Sequence, residues 1–447
     1  MKKILPLQRL ALFVILFAQF TVPARAVEVI DSLDVAQVWA GHPVGFCLLT
    51  APPRQYAAYY DADRRMTVAS RRLDEREWQY TVLPETIGWD SHNSIVMTLD
   101  ANGYLHLAGN MHVHPLKYFR TMKPYDAATF ERVAAMVGEN EDRVTYPRFL
   151  NGPDSALLFT YRDGRSGSGN QIYNVYDAST QTWRRLLDEP LVDGEGERNA
   201  YFDGPFRGPD GWFHLVWVWR DTPACETNHD ISYARSRDLV HWESSAGEPF
   251  ALPITYATCD VVDPVPVHGG MINGGVRLGF DGEKRPVITY HKFDEKGLTQ
   301  LYNARLEDGA WKIYQSSDWD YRWDFAGNGS IVFEIQIRPI EVTDAGELVL
   351  SWSHTKYGSQ RWRVAPGDFA PLEQMPNPET MPAALRKVTS DFPGMGVRTR
   401  NDSGASGDTD TRYVLRWETL GSNRDQAREK PWPEPSQLTL YTLRRDN

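Results

Sequence analysis

Beyond residue 40, apolar and polar positions alternate over short runs and show little helical spacing. Val44-Gly45-Phe46-Cys47-Leu48-Leu49, Gln55 to Tyr60 and Met66 to Arg71 are β-rich, and a strand around Trp78 to Val82 follows. Pro, Gly and Asp separate these runs, as turn residues between strands do. The cadence then repeats. Aromatics close successive units at Trp78, Phe130, Trp183, Trp242, Trp311 and Trp362, at intervals of 52, 53, 59, 69 and 51 residues. Within each interval a middle strand precedes a turn: Tyr104 to Ala108, Ala156 to Tyr161, Trp212 to Trp219, Val287 to His291, and Leu348 to Trp352. Four strands in a repeat of about 40–50 residues are the signature of a propeller blade.

The blades fall at 44–82, 91–133, 144–186, 198–245, 274–314, 331–367 and 395–443. The expected fold is therefore all-β, a seven-bladed β-propeller over 27–447, with six or eight blades left open by the weak periodicity of the last third. A strand around Val27 to Ile30 is expected to complete the last blade, because closure removes two exposed sheet edges. A two-sheet sandwich would not explain the recurring aromatic. Ser236-Arg237-Asp238-Leu239-Val240-His241-Trp242 approximates the Asp-box turn of sialidase-type propellers, without its Gly. That turn speaks to fold only.

The first 26 residues stand apart from this pattern. Lys2, Lys3 and Arg9 precede an apolar run from Leu10 to Val22, and Ala24-Arg25-Ala26 supplies a small-residue cleavage site. This is the layout of a signal peptide, cleaved near Ala26, and it predicts a secreted or periplasmic protein. No second apolar 18-mer follows, so no membrane span is expected. Removing four basic residues and no acid takes the net charge from −11 to −15. That balance argues against nucleic acid as a partner. With 41% hydrophobic residues, 15 Trp, 21 Tyr and 18 Phe, the 447-residue chain has material for a large core. Cys47, Cys225 and Cys259 allow at most one disulfide and read as core thiols. A monomer is expected.

Chemistry concentrates early. Four of the 11 histidines lie within 23 residues: His92, His106, His112 and His114, in Ser91-His92-Asn93-Ser94 and Gly109-Asn110-Met111-His112-Val113-His114-Pro115 contexts. Strand alternation would put His112 and His114 on one face, a geometry open to metal. No carboxylate or cysteine sits at a convincing ligand spacing, so no metal ligand is assigned there. In the next repeat Arg162 ends a strand beside the Gly/Ser-rich turn Gly164 to Asn170, well placed to offer a guanidinium to a carboxylate. That turn lacks the Gly-Lys-Ser/Thr ending of a nucleotide loop.

S-H-N-S-I, G-N-M-H-V-x-P-L-x-Y-F-R, T-Y-P-x-F and Y-R-D-G-x-S-G-x-G-N occur here in order. Together they resemble the BNR-4 group of seven-bladed propellers, which includes ulvan lyases and related rhamnose–glucuronate polysaccharide lyases. The likeness runs from about Val44 to Trp242, and more loosely through Tyr290-His291-Lys292 and Gly327-Asn328-Gly329. The resemblance implies catalytic roles for His92 and His112, for Tyr146, and for Arg162 as the residue that neutralises the uronate carboxylate. It matches Tyr201 by position to a further tyrosine of the family, and Asn93, Asn110, Tyr201, Arg220 and His291 are the substrate-binding candidates. The implied reaction is β-elimination on an acidic polysaccharide, requiring no cofactor. On that scheme Arg162 would stabilise the enolate-like intermediate, and a nearby arginine would favour a lowered pKa for Tyr146.

Two other readings remain open at this point. A sialidase-like hydrolase would want a carboxylate pair, or a Tyr/Glu with an arginine triad, to which Glu226, Asp230 and Asp260 could contribute, and a non-catalytic glycan-binding propeller would use the aromatics as platforms. A polyanionic substrate also requires a local basic lining, for which Arg162, Arg165, Arg207 and Arg220 are candidates. A structural metal ion is left open; Asn401 to Asp410 reads as a surface loop and lacks a defined cation-loop spacing.

Overall fold

The computed structural model describes residues 27–404 and 410–445. The expected signal peptide lies outside them, as do residues 405–409 of the acidic loop. Seven antiparallel sheets of four or five strands follow one another along the chain, forming a seven-bladed propeller. Blade I comprises Cys47–Ala51, Arg54–Tyr60, Arg65–Arg72 and Gln79–Thr86; blade II comprises Ile95–Leu99, Leu105–Gly109, Tyr118–Thr121 and Phe130–Val133. Blade III runs Val144–Asn151, Leu157–Arg165, Ser168–Asp177 and Thr182–Arg185, with His112–His114 added beside its first strand. Blade IV begins with Asn199–Arg207, Phe213–Arg220 and Asn228–Ser236, and blade V runs from Arg277–Phe280 to Ala310–Gln315. Blade VI runs from Ile335–Ile337 to Pro371–Gln374. Four short 3-10 turns are the only helical elements among the described residues.

Closure follows the expected route over a longer strand. Val27–Val38 pairs antiparallel with Ser436–Arg445 and becomes the outer strand of blade VII, beside Thr411–Leu420 and Met395–Asn401. The first and last described strands are thereby held in one sheet, which closes the ring. Across the seam Phe46 stacks on Trp417 with ring centroids 4.4 Å apart. The first strands of blades VII, I, II and III touch in succession, as strands lining a common axis do.

The recurring aromatics stand at the start of outer strands. Trp78 immediately precedes Gln79–Thr86, Trp242 opens Trp242–Glu243, and Trp183 and Trp311 are second in Thr182–Arg185 and Ala310–Gln315. They seal one blade against the previous one: Trp183 donates its indole N–H to Tyr118 of blade II at 3.1 Å, and Trp311 meets Tyr233 of blade IV edge-on. Trp362 breaks the series. It lies in the third strand of blade VI, Gly358–Val364, and buried Phe369, just before Pro371–Gln374, packs on Tyr314 of blade V in its stead. The Ser236–Trp242 segment does form a knit turn. Ser236 Oγ accepts from Leu239 N–H, Asp238 Oδ1 accepts from Val240 and His241 N–H, and Leu239 adopts φ 65°.

Among the described residues no helix is long and apolar enough to cross a membrane. Cys47, Cys225 and Cys259 are all free thiols.

Candidate functional site

In antiparallel blades, the loops from outer strand to next first strand share an end with the loops from second to third strand. At that end lies a cleft of about 370 Å³, lined by His92, His112, Tyr146, Tyr201, Arg165 and Arg220 among others. Its opposite wall is Ile272, Asn273 and the Asn328–Phe333 segment. His92 comes from the loop entering blade II, His112 from the second-to-third loop of that blade, Tyr146 from the start of blade III, and Tyr201 from the start of blade IV. These four positions, up to 109 residues apart in the sequence, are thus gathered by blade repetition.

Local backbone departures aim these side chains. Tyr146 sits at a register shift between Thr145 and Arg148 and adopts φ 54°, so the strand bulges and turns the ring out of the sheet alternation. Val113 adopts φ 58°, which breaks the alternation expected for His112 and His114. The two do not share a face: His114 Nδ1 accepts the His112 backbone N–H, and only His112 lines the cleft. Positive φ at such residues costs of order 1–3 kcal/mol and persists only where the surroundings enforce it.

Arg162 lies beneath the two tyrosines. Its guanidinium carbon is 5.0 Å from the centroid of Tyr146 and 5.7 Å from that of Tyr201, and all three guanidinium nitrogens are buried without a protein hydrogen-bond partner. The residue is 3% exposed and does not line the cleft. A Cβ at Gly169 would lie 2.8 Å from its Cγ and Cδ, so this glycine of the Gly/Ser-rich turn makes room for the arginine stem. Arg220 does reach the cleft, donating to Tyr201 Oη at 3.4 Å and to Asn273 Oδ1 at 3.4 Å. Arg207 is elsewhere, beside a separate cavity with Phe206 and Phe213.

The two hydroxyls are pushed apart. Burial raises the Tyr146 hydroxyl above its ordinary range, outweighing the pull of Arg162, which corrects the expectation that the arginine would lower it. Burial acts the same way on Tyr201, but Arg162 and Arg220 together draw that hydroxyl below its ordinary value, helped by Ser166.

Asp90 is the group that reading the sequence passed over. It stands two residues before His92, yet it meets His112 only through the fold. Its Oδ1 is 2.8 Å from His92 Nδ1 and its Oδ2 is 2.5 Å from His112 Nδ1. The rings lie 4.3 Å apart, centroid to centroid. Burial would raise the Asp90 carboxyl, but hydrogen bonds from both histidines hold it well below the usual carboxylate range. These three residues place possible metal-ligating atoms within 4.8 Å of one another. Asp425, in the second-to-third loop of blade VII, approaches His92 Nδ1 at 3.4 Å and accepts from Ser91 and Ser330.

The other sequence candidates stand outside the cleft lining. Asn93 is buried, and its backbone carbonyl accepts from Tyr60 Oη at 2.7 Å. Asn110 donates to Glu85 and Thr86 of blade I. His291 is buried against Trp323, with Nδ1 2.9 Å from the Gly270 carbonyl, and burial lowers its pKa to about 4. His106 is a core residue bonded to Tyr118 and Asp100. The carboxylates considered for hydrolysis are all engaged locally: Glu226 accepts from Gly327, Asp230 holds His229, and Asp260 accepts from Ser245.

Comparison with known proteins agrees with this architecture. The ulvan lyase short isoform of Alteromonas sp. (strain LOR) is 36% identical over 63 residues, 14% of this chain and 12% of that protein. The long isoform of Pseudoalteromonas sp. (strain PLSV) is 26% identical over 124 residues, 26% of this chain and again 12% of that protein. The chain thus spans about an eighth of the length of these curated relatives. Among solved structures, polysaccharide lyase Uly1 superposes with a TM-score of 0.61 at 13% identity, covering 94% of this chain and all of that one. A PL25 ulvan lyase bound to -[GlcA(1-4)Rha3S]- gives 0.57 at 13% identity, covering 91% and 94%. At such identity the likeness is one of fold. Residues 54–319 match the BNR repeat-containing family, and since this is more than half of the chain, it belongs to that family.

Proposed function

We propose that the protein is an exported polysaccharide lyase that cleaves a uronate-containing glycan, ulvan-like or otherwise rhamnose–glucuronate in character, by β-elimination. One observation carries this reading. In a chain of net charge −11, exposed Arg165 and buried Arg220 line one cleft and buried Arg162 lies beneath it; none is ion-paired with a carboxylate among the described residues, and the Arg162 guanidinium has no hydrogen-bond partner. Buried or half-buried guanidinium groups without an anion cost several kcal/mol unless a ligand supplies one. An acidic sugar would supply it. Among the described residues no Asp or Glu lines the cleft, which disfavours hydrolysis by a pair of carboxylates flanking the bond.

The chemistry then divides among the residues. The C5 proton of a uronate is hardly acidic until the charge developing on its carboxylate is stabilised. Arg220 and Arg165, at the cleft surface, meet the carboxylate, while Arg162 supports the same charge from beneath the tyrosine rings. Tyr201, drawn toward its phenolate form, takes the proton from C5, and Tyr146, kept protonated by burial, donates to the departing O4. His92 and His112 hydrogen-bond the reacting sugar through Nε2, contacts that tighten as the transition state forms and so act on kcat. No step calls on a cofactor.

The test is an assay on uronate glycans read by the ultraviolet absorbance of the unsaturated product. Cleavage with that absorbance supports elimination. Cleavage without it indicates hydrolysis, and binding without cleavage indicates a glycan-binding propeller.

A further inference from the structure

The arrangement around Asp90 goes one step further than a list of cleft residues. Its two oxygens are divided between two rings, Oδ1 to His92 Nδ1 at 2.8 Å and Oδ2 to His112 Nδ1 at 2.5 Å. Oδ1 also accepts the backbone N–H of His92 at 2.9 Å, which fixes the carboxylate plane. An ionised carboxylate only accepts, so a neutral ring bonded to it through Nδ1 must carry its proton there. Both rings line the cleft, and neither Nε2 has a protein partner among the described residues.

We propose that Asp90 is a positioning residue that holds both histidines as Nδ1–H tautomers, so that each presents a free Nε2 to the cleft. One carboxylate thereby orients two rings, with Asp425 as a further acceptor beside His92. A divalent metal is the competing occupant of the same cradle. Tetrahedral zinc, with bonds of about 2.0–2.2 Å, separates its ligand atoms by roughly 3.3 Å. The distances here are instead those of direct hydrogen bonds. The spacing favours protons.

The tautomers can be read directly, without substrate, from long-range ¹H–¹⁵N correlations of the full chain at alkaline pH. His92→Gln and His112→Gln variants assign the two rings. Both are expected in the Nδ1–H form. In Asp90→Asn the amide offers one oxygen and one NH₂, so one of the two rings must turn its Nδ1 lone pair to the amide and carry its proton on Nε2. The inference is overturned if the parent rings are Nε2–H, or if Asp90→Asn leaves both tautomers unchanged. It is also overturned if both Nδ1 atoms lack a proton until a chelator is added, which would mark a metal site. A kinetic arm rests on the lyase reading: Asp90→Asn is expected to lower kcat by about 10²-fold or more, with KM within about threefold, as for other carboxylate-oriented histidines. A loss confined to KM, or one matched by a fall in thermal midpoint, would count against positioning. Should the parent cleave no uronate glycan, the lyase reading fails, and the spectra still decide the role of Asp90.

Discussion

Blade II carries histidine–aspartate contacts at both of its ends, and they are built to opposite purposes. At the end away from the cleft, His106 is completely buried between two partners, Tyr118 Oη at 2.6 Å and Asp100 Oδ2 at 3.4 Å. Burial pushes its pKa below the usual histidine value, with Asp100 opposing. Blade IV repeats the device: His214 bonds Tyr233 Oη at 2.6 Å and Asp210 at 3.0 Å. At the cleft end His92 and His112 are half-buried, and each spends one nitrogen on Asp90 and leaves the other free. The difference teaches that residue type does not mark the site. What marks it is polar atoms left without partners where a ligand can reach, or beneath where it can.

Arg162 breaks or sharpens that contrast most strongly. Arg162→Ala is expected to lower turnover on a uronate glycan by about 10²–10³-fold, the usual worth of one preorganised charge contact. Arg162→Met, which keeps the stem against Gly169, is expected to hold or raise the thermal midpoint, because an unpaired buried cation is removed. A large fall in stability with Met would show that the arginine is structural. Tyr201→Phe comes next. It removes the hydroxyl that Arg162 and Arg220 draw down while keeping the ring, so a loss of about 10²-fold in kcat with little change in KM is expected. If Tyr146→Phe alone gives that loss, the two tyrosines exchange roles.

The paired end should behave in reverse. His106→Leu leaves Tyr118 Oη and Asp100 short of a partner, and a stability loss of roughly 1–3 kcal/mol is expected, with kcat for the folded fraction unchanged. Denaturant unfolding alongside steady-state kinetics separates the two quantities. A kcat defect without a stability defect would erase the distinction between the ends.

The sequence made the blades legible because each must bury the same kind of aromatic against its neighbour, so Trp78, Trp183, Trp242 and Trp311 recur. Trp362 misled because Phe369, a smaller ring at a different spacing, fills that role in blade VI. The motifs also drew attention to His92, His112, Tyr146 and Arg162, of which the fold brings the first three into one cleft and sets the fourth beneath it. Asp90 was not, although it is two residues from His92. Its second bond, to His112, joins the loop entering blade II to the second-to-third loop of the same blade 22 residues on, and no local spacing announces such a pairing. Asp425 is more extreme, since it reaches His92 only because the ring closes blade VII onto blade I. Val113 defeated the alternation argument for His114 because φ 58° at one residue re-aims everything after it. Long-range closure and single-residue backbone departures are the parts that periodicity does not encode.

The smallest expected effect lies at the exposed margin of the paired end. Asp238, in the knit turn of blade IV, accepts from Val240 and His241 N–H at 2.8 Å each and from His241 Nδ1 at 2.7 Å. Burial would raise its carboxyl, but these hydrogen bonds hold it at about 2. An unfolded aspartate titrates near 3.9, so the folded value is depressed. The stabilisation is therefore full above about pH 4 and is lost as pH falls through about 2. Asp238→Asn is expected to flatten this part of the acid stability profile while changing neutral stability by about 1 kcal/mol or less, because the group is substantially exposed to solvent. Unfolding midpoints of the two proteins between pH 5 and pH 2 measure it. Curves that stay parallel across that window would mean that the turn is held by Ser236 and by the Trp242 indole on the Leu239 carbonyl, with the carboxylate a bystander.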